Sequence, residues 1–334
     1  MDEKQRNFCN NIRFMKRFLM DLTISVEKIS GILKIKQYCN RFRLLGLCYH
    51  SVVSNDVPRN SRTDIAVTVR NFEQQLALIR ERFHPVSLRD IEQACFQGKT
   101  LPKHAVFVTF DDGYRNNLTL AAPLLKKYEI PATVFVSTGY IEKTDLLWTQ
   151  EIRERLIDGS NDSKNITERE RLADETVRTG KRLSQNDRAD YLKQLRNHTT
   201  LHLESPWKRE LYEFMTWDEV REIRQFGVTI GAHTVSHPIL SRSSRDEIAR
   251  EFQECRKTME SELGEECFAI AYPNGKAEDF NADVMEEAKK SGFRIGFNLC
   301  EHRNPQKLVP MSMDRCCVTL GVSLLEFERL LVRG

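Results

Sequence analysis

A chain of 334 residues with a formal net charge of +3 has room for roughly two average domains, or for one large α/β barrel with insertions. Its 40% apolar and 30% charged residues suit a soluble enzyme with a sizeable core. Nothing in this balance calls for nucleic acid, and no basic run is interleaved with aromatics as single-strand binders require.

Residues 1–43 form a basic extension in which ten Lys or Arg residues face four acids, a surplus of about +6. Ile12, Met15, Phe18, Leu19 and Leu22 recur at helical spacing. Amphipathic spacing of this kind predicts a helix packed against the domain with its basic face in water. The other reading is a weak peripheral contact with an anionic membrane surface. The N-terminus lacks the unbroken apolar core of a secretory signal, and no apolar run reaches membrane-spanning length. The nine cysteines fit neither a CxxC pair nor a zinc ribbon, so buried thiols in a reducing, cytoplasmic compartment are expected.

From residue 44 short apolar runs alternate with helical stretches. LLGLCYH (44–50), AVFVTF (105–110), ATVFVS (132–137), VTIGA (228–232), FAIAY (268–272) and FRIGF (293–297) predict strands buried on both faces, as in a parallel sheet. Helices are predicted over 71–83, 120–130, 216–227 and 243–264, with Thr216 as a start signal and Gly227 and Gly264 as stops. Strand–helix alternation predicts an α/β fold, either barrel or doubly wound. Residues 141–214 break the rhythm. They are charge-rich, include the polar run DGSNDSKN (158–165), and read as a mostly helical insertion that shapes access to a site.

Chemistry concentrates at strand ends. VFVTFDDGYRNN (106–117) closes a buried strand with Asp111 and Asp112 before a glycine turn. One carboxylate can hold a cation while its neighbour faces a substrate; alternatively the pair caps the next helix. IGAHTVSHP (230–238) puts His233 and His237 at i and i+4 after another strand. If that segment opens a helical turn, both imidazoles share one face and can chelate a metal. With one Asp they make a set of two nitrogens and one oxygen that leaves positions open, as catalytic sites do. His50 and Tyr272-Pro273 end two further strands and would lie at the same rim.

TFDDGY (109–114) and HTVSH (233–237) resemble the first two motifs of the polysaccharide deacetylase family, also called the NodB-homology or carbohydrate esterase family 4 domain. The resemblance runs over roughly residues 44–320 and leaves the 1–43 extension and the 141–214 insertion outside. It implies a distorted (β/α) barrel with fewer than eight units. It further implies Asp111 as catalytic base, and Asp112, His233 and His237 around a divalent ion, most often Zn2+. Two positions depart from the family pattern. Ala271 stands where a base-steering arginine is usual, and the closing segment KLVPMSMDRCCVTL (307–320) lacks the late catalytic histidine, with His302 in an unrelated context. Tyr49-His50 is similar to the early pair of an exopolysaccharide-type branch, which makes His50 the expected general acid.

The expected function is metal-dependent removal of N-acetyl groups from an N-acetylhexosamine-containing glycan or glycan precursor. Tyr114, Tyr272 and Pro273 are expected at the substrate, with a backbone N–H near Tyr114 holding the developing oxyanion. The alternatives are hydrolysis of a non-sugar amide or an ester on the same barrel, and a catalytically silent glycan-binding domain.

Overall fold

The computed structural model describes residues 15, 19–56, 65–159 and 165–333. Helices α1 (residues 19–29) and α2 (Ile32–Cys39) lead into β1 (Leu45–Tyr49) and a two-stranded annex of β2 (Ser51–Val53) and β3 (Ala66–Thr68). Then come α3 (Val69–Arg82), β4 (His84–Pro85), α4 (Leu88–Phe96) and β5 (Ala105–Phe110). After β5 a wide π turn, Asn117–Ala121, runs into α5 (Ala122–Lys127), followed by β6 (Ala132–Val136). Four helices separate β6 from α10 (Trp217–Glu222) and β7 (Val228–Ala232): α6 (Trp148–Ile157), α7 (Ile166–Gly180), α8 (Gln185–His198) and α9 (Pro206–Tyr212). The chain closes with α11 (Arg245–Leu263), β8 (Ala269–Ala271), α12 (Ala282–Lys290), β9 (Ile295–Phe297), β10 (Arg315–Cys317) and α13 (Leu324–Val332).

The main sheet runs β10-β1-β5-β6-β7-β8-β9 with every pairing parallel, and β4 adds to β5 at one end. Phe297 bridges in parallel to Met313, just before β10. There the Met313 N–H donates to the Gly296 carbonyl at 2.8 Å and the Asn298 N–H to the Met313 carbonyl at 2.9 Å. The sheet therefore all but closes into a seven-stranded barrel, fewer than the eight of a full (β/α)₈ barrel.

Strand parity sorts the side chains. Leu45, Leu47, Val106, Val108, Val134 and Ile230 point outward and pack under the helices in the larger core cluster. The alternating residues Phe107, Phe135, Ala269, Ala271, Ile295 and Phe297 fill the barrel in a second cluster. Two glycines make that interior possible. A Cβ on Gly46 would come within 2.8 Å of the Arg315 side chain, and one on Gly231 within 2.5 Å of the Phe135 ring.

The six strands read from sequence are present, the later two shorter than their apolar runs. The short β2, β3 and β4 went unread, and so did the barrel strand β10, because MDRCCV carries a charge where a buried strand should be apolar. Thr216 caps α10 by accepting from the Glu219 N–H, and Gly227 and Gly264 adopt left-handed φ of 82° and 67° at their helix ends.

The N-terminal extension departs from its reading. Ile12 and Phe18 lie outside the described residues, but Leu19 and Leu22 are exposed, not packed. The opposite side of α1 and α2 is the docked one, through buried Ile24 and Leu33 and the ion pairs Lys28–Glu328 (2.7 Å) and Arg329–Glu27 (3.3 Å). Docking uses other apolar residues than the spacing picked out, with ion pairs added.

Candidate active site

All the rim chemistry sits at the carboxyl ends of the barrel strands, the end where such folds carry their sites. Asp111 follows β5 with inward parity and is fully buried. Asp112 then adopts φ of 76° and Gly113 90°, a left-handed step that turns the second carboxylate along the rim. Neither aspartate caps a helix: the π turn begins at Asn117 and has no side-chain cap.

Asp112 Oδ1 lies 3.5 Å from His233 Nε2 and 3.4 Å from His237 Nε2, and all three side chains are buried. A tetrahedral ion with bonds of about 2.0–2.1 Å sets its ligand atoms about 3.4 Å apart. Asp112 Oδ1 is moreover a buried acceptor with no hydrogen-bond partner among the described residues. An unpaired buried carboxylate oxygen is costly unless a cation completes it, so these three residues fit a divalent metal.

The histidines are oriented for that work. His233 Nδ1 is 2.8 Å from the Ala271 carbonyl, which can only accept, so Nδ1 carries the proton and Nε2 presents its lone pair. Burial, against the pull of Asp112, holds His237 down at about 3, so its imidazole is neutral. The pair is not on a helical turn, as the i,i+4 spacing suggested. Residues 233–237 form a loop in which Thr234 and His237 take φ of 65° and 55°. Glu251 of α11 clamps it, its carboxylate accepting from the N–H groups of Val235 (2.8 Å) and Ser236 (3.0 Å) and from the Ser236 hydroxyl. Nothing in the spacing pointed to Glu251.

Arg315 is the functional residue the sequence reading missed. It reaches from β10 across the barrel interior, Nη1 to Asp111 Oδ1 at 2.7 Å and Nη2 to Asp111 Oδ2 at 2.9 Å, with both groups buried. Two further donors go to Thr109 Oγ1 (2.9 Å) and the Asn298 carbonyl (3.2 Å). Burial alone would raise the Asp111 carboxyl; Arg315, ahead of His233 and His50, outweighs it and holds it well below the usual carboxylate range. The steering arginine absent at Ala271 is thus supplied from another strand. The one available signal was a lone arginine among the apolar residues of MSMDRCCV.

This pair yields a prediction. Arg315→Met should leave a buried carboxylate uncompensated and cost about 3–5 kcal/mol in a denaturant titration. Arg315→Lys, which keeps the charge but not the fork, should fall between Met and the native residue. Without its cation Asp111 protonates at higher pH, so the acid limb of the rate profile should move up in Arg315→Met and by less in Arg315→Lys. Unchanged stability in Arg315→Met would overturn the assignment.

His50 lies just beyond β1, half-buried, its carbonyl held by the Asn117 side-chain amide at 2.7 Å. Burial pulls its imidazole down, but Cys317, Asp112 and Asp111 outweigh this and lift it to about 9. Its Nδ1 is buried with no partner among the described residues. His50, Asp112 and His237 share a cavity of about 200 Å³, whose walls also include Asn274 and, from the helical insertion, Gln150, Arg153 and Lys181. Trp148, at the start of α6, ties the insertion to the rim by donating from Nε1 to the His237 carbonyl at 3.1 Å.

The expected substrate residues fare differently. Tyr272 follows the inward Ala271, so parity turns it outward; its ring stacks on Phe280 and its hydroxyl donates to the Met311 carbonyl at 3.0 Å. Pro273 is also buried, and Asn274 takes the place at the cavity wall. The Tyr114 ring is buried against Phe214, with centroids 5.0 Å apart. Neither ring lines the cavity, although burial and the nearby Asp112 both push the Tyr114 hydroxyl up.

A nearly closed parallel barrel with adjacent carboxylates and two histidines at its strand ends defines a hydrolase-like scaffold with a candidate metal centre. The sequence profile described as polysaccharide deacetylase matches residues 98–296, and the chain belongs to that family. It is 20% identical to the Bacillus subtilis protein YxkH over 251 residues, 75% of this chain and 62% of that one. It is 39% identical to the poly-beta-1,6-N-acetyl-D-glucosamine N-deacetylase of Escherichia coli K12 over 69 residues, 20% of this chain and 10% of that enzyme. Among solved structures, the Streptococcus pyogenes deacetylase PplD in complex with acetate superposes with a TM-score of 0.60 at 20% identity, over 86% of this chain and 98% of that one. IcaB from Ammonifex degensii gives 0.58 at 20% identity, over 87% and 97%. These likenesses carry the fold.

Proposed function

We propose that the chain is a metal-dependent hydrolase that removes N-acetyl groups from an N-acetylhexosamine-containing glycan or glycan precursor. The observation that carries this reading is the buried Asp112–His233–His237 set beside an Asp111 that Arg315 keeps ionised. The named activity of the partly matching E. coli enzyme points to the same bond.

Asp112, His233 and His237 would hold the ion, most often Zn2+ for a set of two nitrogens and one oxygen. Bound there, it supplies Lewis acidity, acidifying a water and polarising the scissile carbonyl. Asp111 takes the proton of the attacking water, its oxygens aimed by the Arg315 fork. His50, beside Asp111 and lining the cavity, protonates the departing nitrogen, which is a poor leaving group as an anion. A backbone N–H near Tyr114 stabilises the carbonyl oxygen as charge develops. Acetate and a free amino sugar result. We place the chain in a reducing, cytoplasmic setting, a reading supported by free thiols at all eight described cysteines, Cys48 and Cys317 among them.

The test is acetate release from N-acetylated oligosaccharides, with and without a chelator. His233→Ala and His237→Ala should each lower metal affinity by more than the roughly 10–100-fold typical of losing an outer hydrogen-bond partner. Elemental analysis finding unchanged metal in both variants would remove the ligand assignment. Chelator-insensitive release would remove the metal from the mechanism.

A further inference from the structure

The extension is the part of the molecule that the proposed hydrolysis leaves unused. On α1 the residues Leu19, Leu22, Val26 and Ile29 follow one another at three- and four-residue steps, and all are exposed, Ile29 at 87%. The stripe continues on α2 and past its end through Ile35 (62%), Tyr38 (64%) and Phe42. Seven exposed apolar side chains along two successive helices mark a binding site, since single scattered apolar residues are normal but runs are not. The face is not spare packing surface. The opposite side already fixes both helices to the barrel through Ile24, Leu33, the Lys28–Glu328 and Lys36–Glu27 pairs, and the Asn40 amide donating to the Val332 carbonyl at 3.2 Å.

Charge identifies the occupant. Of the cations in residues 19–43, Lys28 and Lys36 pair with Glu328 and Glu27 and Arg43 donates to the Asn304 and Arg303 carbonyls, which leaves Lys34 and Arg41 for the outer face. Lys34 and Lys103 make no ion pair among the described residues. At the α2 end of the stripe the Arg41 guanidinium lies over the rings of Tyr38 (3.8 Å) and Phe42 (4.6 Å), and Lys103 lies 5.6 Å from Phe42. Aromatic rings with cations reaching past them are the side chains that settle at a lipid–water boundary. A second copy of the chain would bring these cations against their own likeness across a two-fold axis. An anionic headgroup layer neutralises them while accepting the apolar side chains. No helix among the described residues is long and apolar enough to cross a membrane, so the contact is with its surface.

We propose that the outer face of α1 and α2 docks the protein on an anionic lipid surface, with the stripe from Leu19 to Phe42 lying in the headgroup boundary. The experiment is sedimentation of the full chain with phosphatidylcholine vesicles with and without phosphatidylglycerol. Binding should require phosphatidylglycerol and weaken as salt screens the charges. Ile29→Glu combined with Ile35→Glu should lower the partition coefficient at least about tenfold. Lys34→Gln should lower it about fivefold on anionic vesicles only. Both sets of positions are exposed, so circular dichroism and acetate release in solution should not change. Failure to sediment with phosphatidylglycerol, or equal sedimentation of the double Glu variant, overturns the proposal. So does light scattering that finds a dimer dissociated by the double Glu variant, which would assign the stripe to a second copy.

Discussion

Asp111→Asn should give a folded, metal-loaded protein whose kcat is lower by about 10²–10⁴-fold, the contribution of a positioned general base. The substitution keeps the shape of the side chain and removes only its charge and its ability to accept a proton. Metal retention is expected because the carboxylate that approaches both Nε2 atoms at 3.4–3.5 Å is that of Asp112, while Asp111 Oδ2 is 4.0 Å from His233 Nε2 and committed to Arg315. Some stability should also be lost, since an amide returns only part of what Arg315 gains from a carboxylate. Rates therefore have to be expressed per metal-loaded molecule. A variant that lost its metal and kept its residual rate would exchange the roles of the two aspartates.

His50→Ala should retain metal and fold while losing roughly 10²–10⁴-fold in rate on an amide, and markedly less on an activated ester whose leaving group needs no proton. The position argues for this. His50 shares the cavity with Asp112 and His237, and its Nδ1 has no partner among the described residues. The side chain has no packing duty comparable to that of Tyr49 beside it, whose ring sits between Phe72 and Phe110 and whose hydroxyl donates to Gln75 at 3.0 Å. Comparing kcat on the two substrates separates proton donation from general damage. An equal loss on both, or none on either, would exclude the acid role.

The two predictions address neighbouring groups, since a ring nitrogen of His50 and a carboxylate oxygen of Asp111 lie within 4.8 Å of one another, and the fold explains how they meet. Alternation along β5 turns Asp111 inward beneath the left-handed step at Asp112, so two neighbours in sequence serve two tasks. β10 inserts beside β1 in register, Gly46 opposite Arg315 and Cys48 opposite Cys317, which brings Arg315 to Asp111 and Cys317 toward His50. The insertion walls the cavity through a third core cluster, in which Trp148, Ile152, Val177, Leu192 and Leu195 pack with Ile239, two residues past His237.

Local pattern by itself determined six of the strands, the helix ends at Thr216, Gly227 and Gly264, and the residues that the rim brings together: Asp111, Asp112, His233, His237 and His50. These follow from short-range physics. Buried parallel strands must be apolar on both faces, helix ends must satisfy their orphan backbone groups, and strand ends in such a fold converge. Tertiary structure alone decided the rest. Arg315 meets Asp111 across 204 positions of chain, in a strand whose charge hides it from any apolar pattern, and only the closed barrel makes that charge affordable by pairing it. Tyr272 was placed at the rim by proximity to a strand end and turned away by strand parity, which a boundary error of one residue reverses. The histidine pair is gathered by a strained loop that Glu251 holds from another helix, where spacing suggested a helical turn. The apolar stripe of the extension was legible as periodicity. Which side of it faces the barrel was settled by ion pairs to Glu328 and Arg329 at the far end of the chain, because a hydrophobic period fixes the width of a face and not its partner.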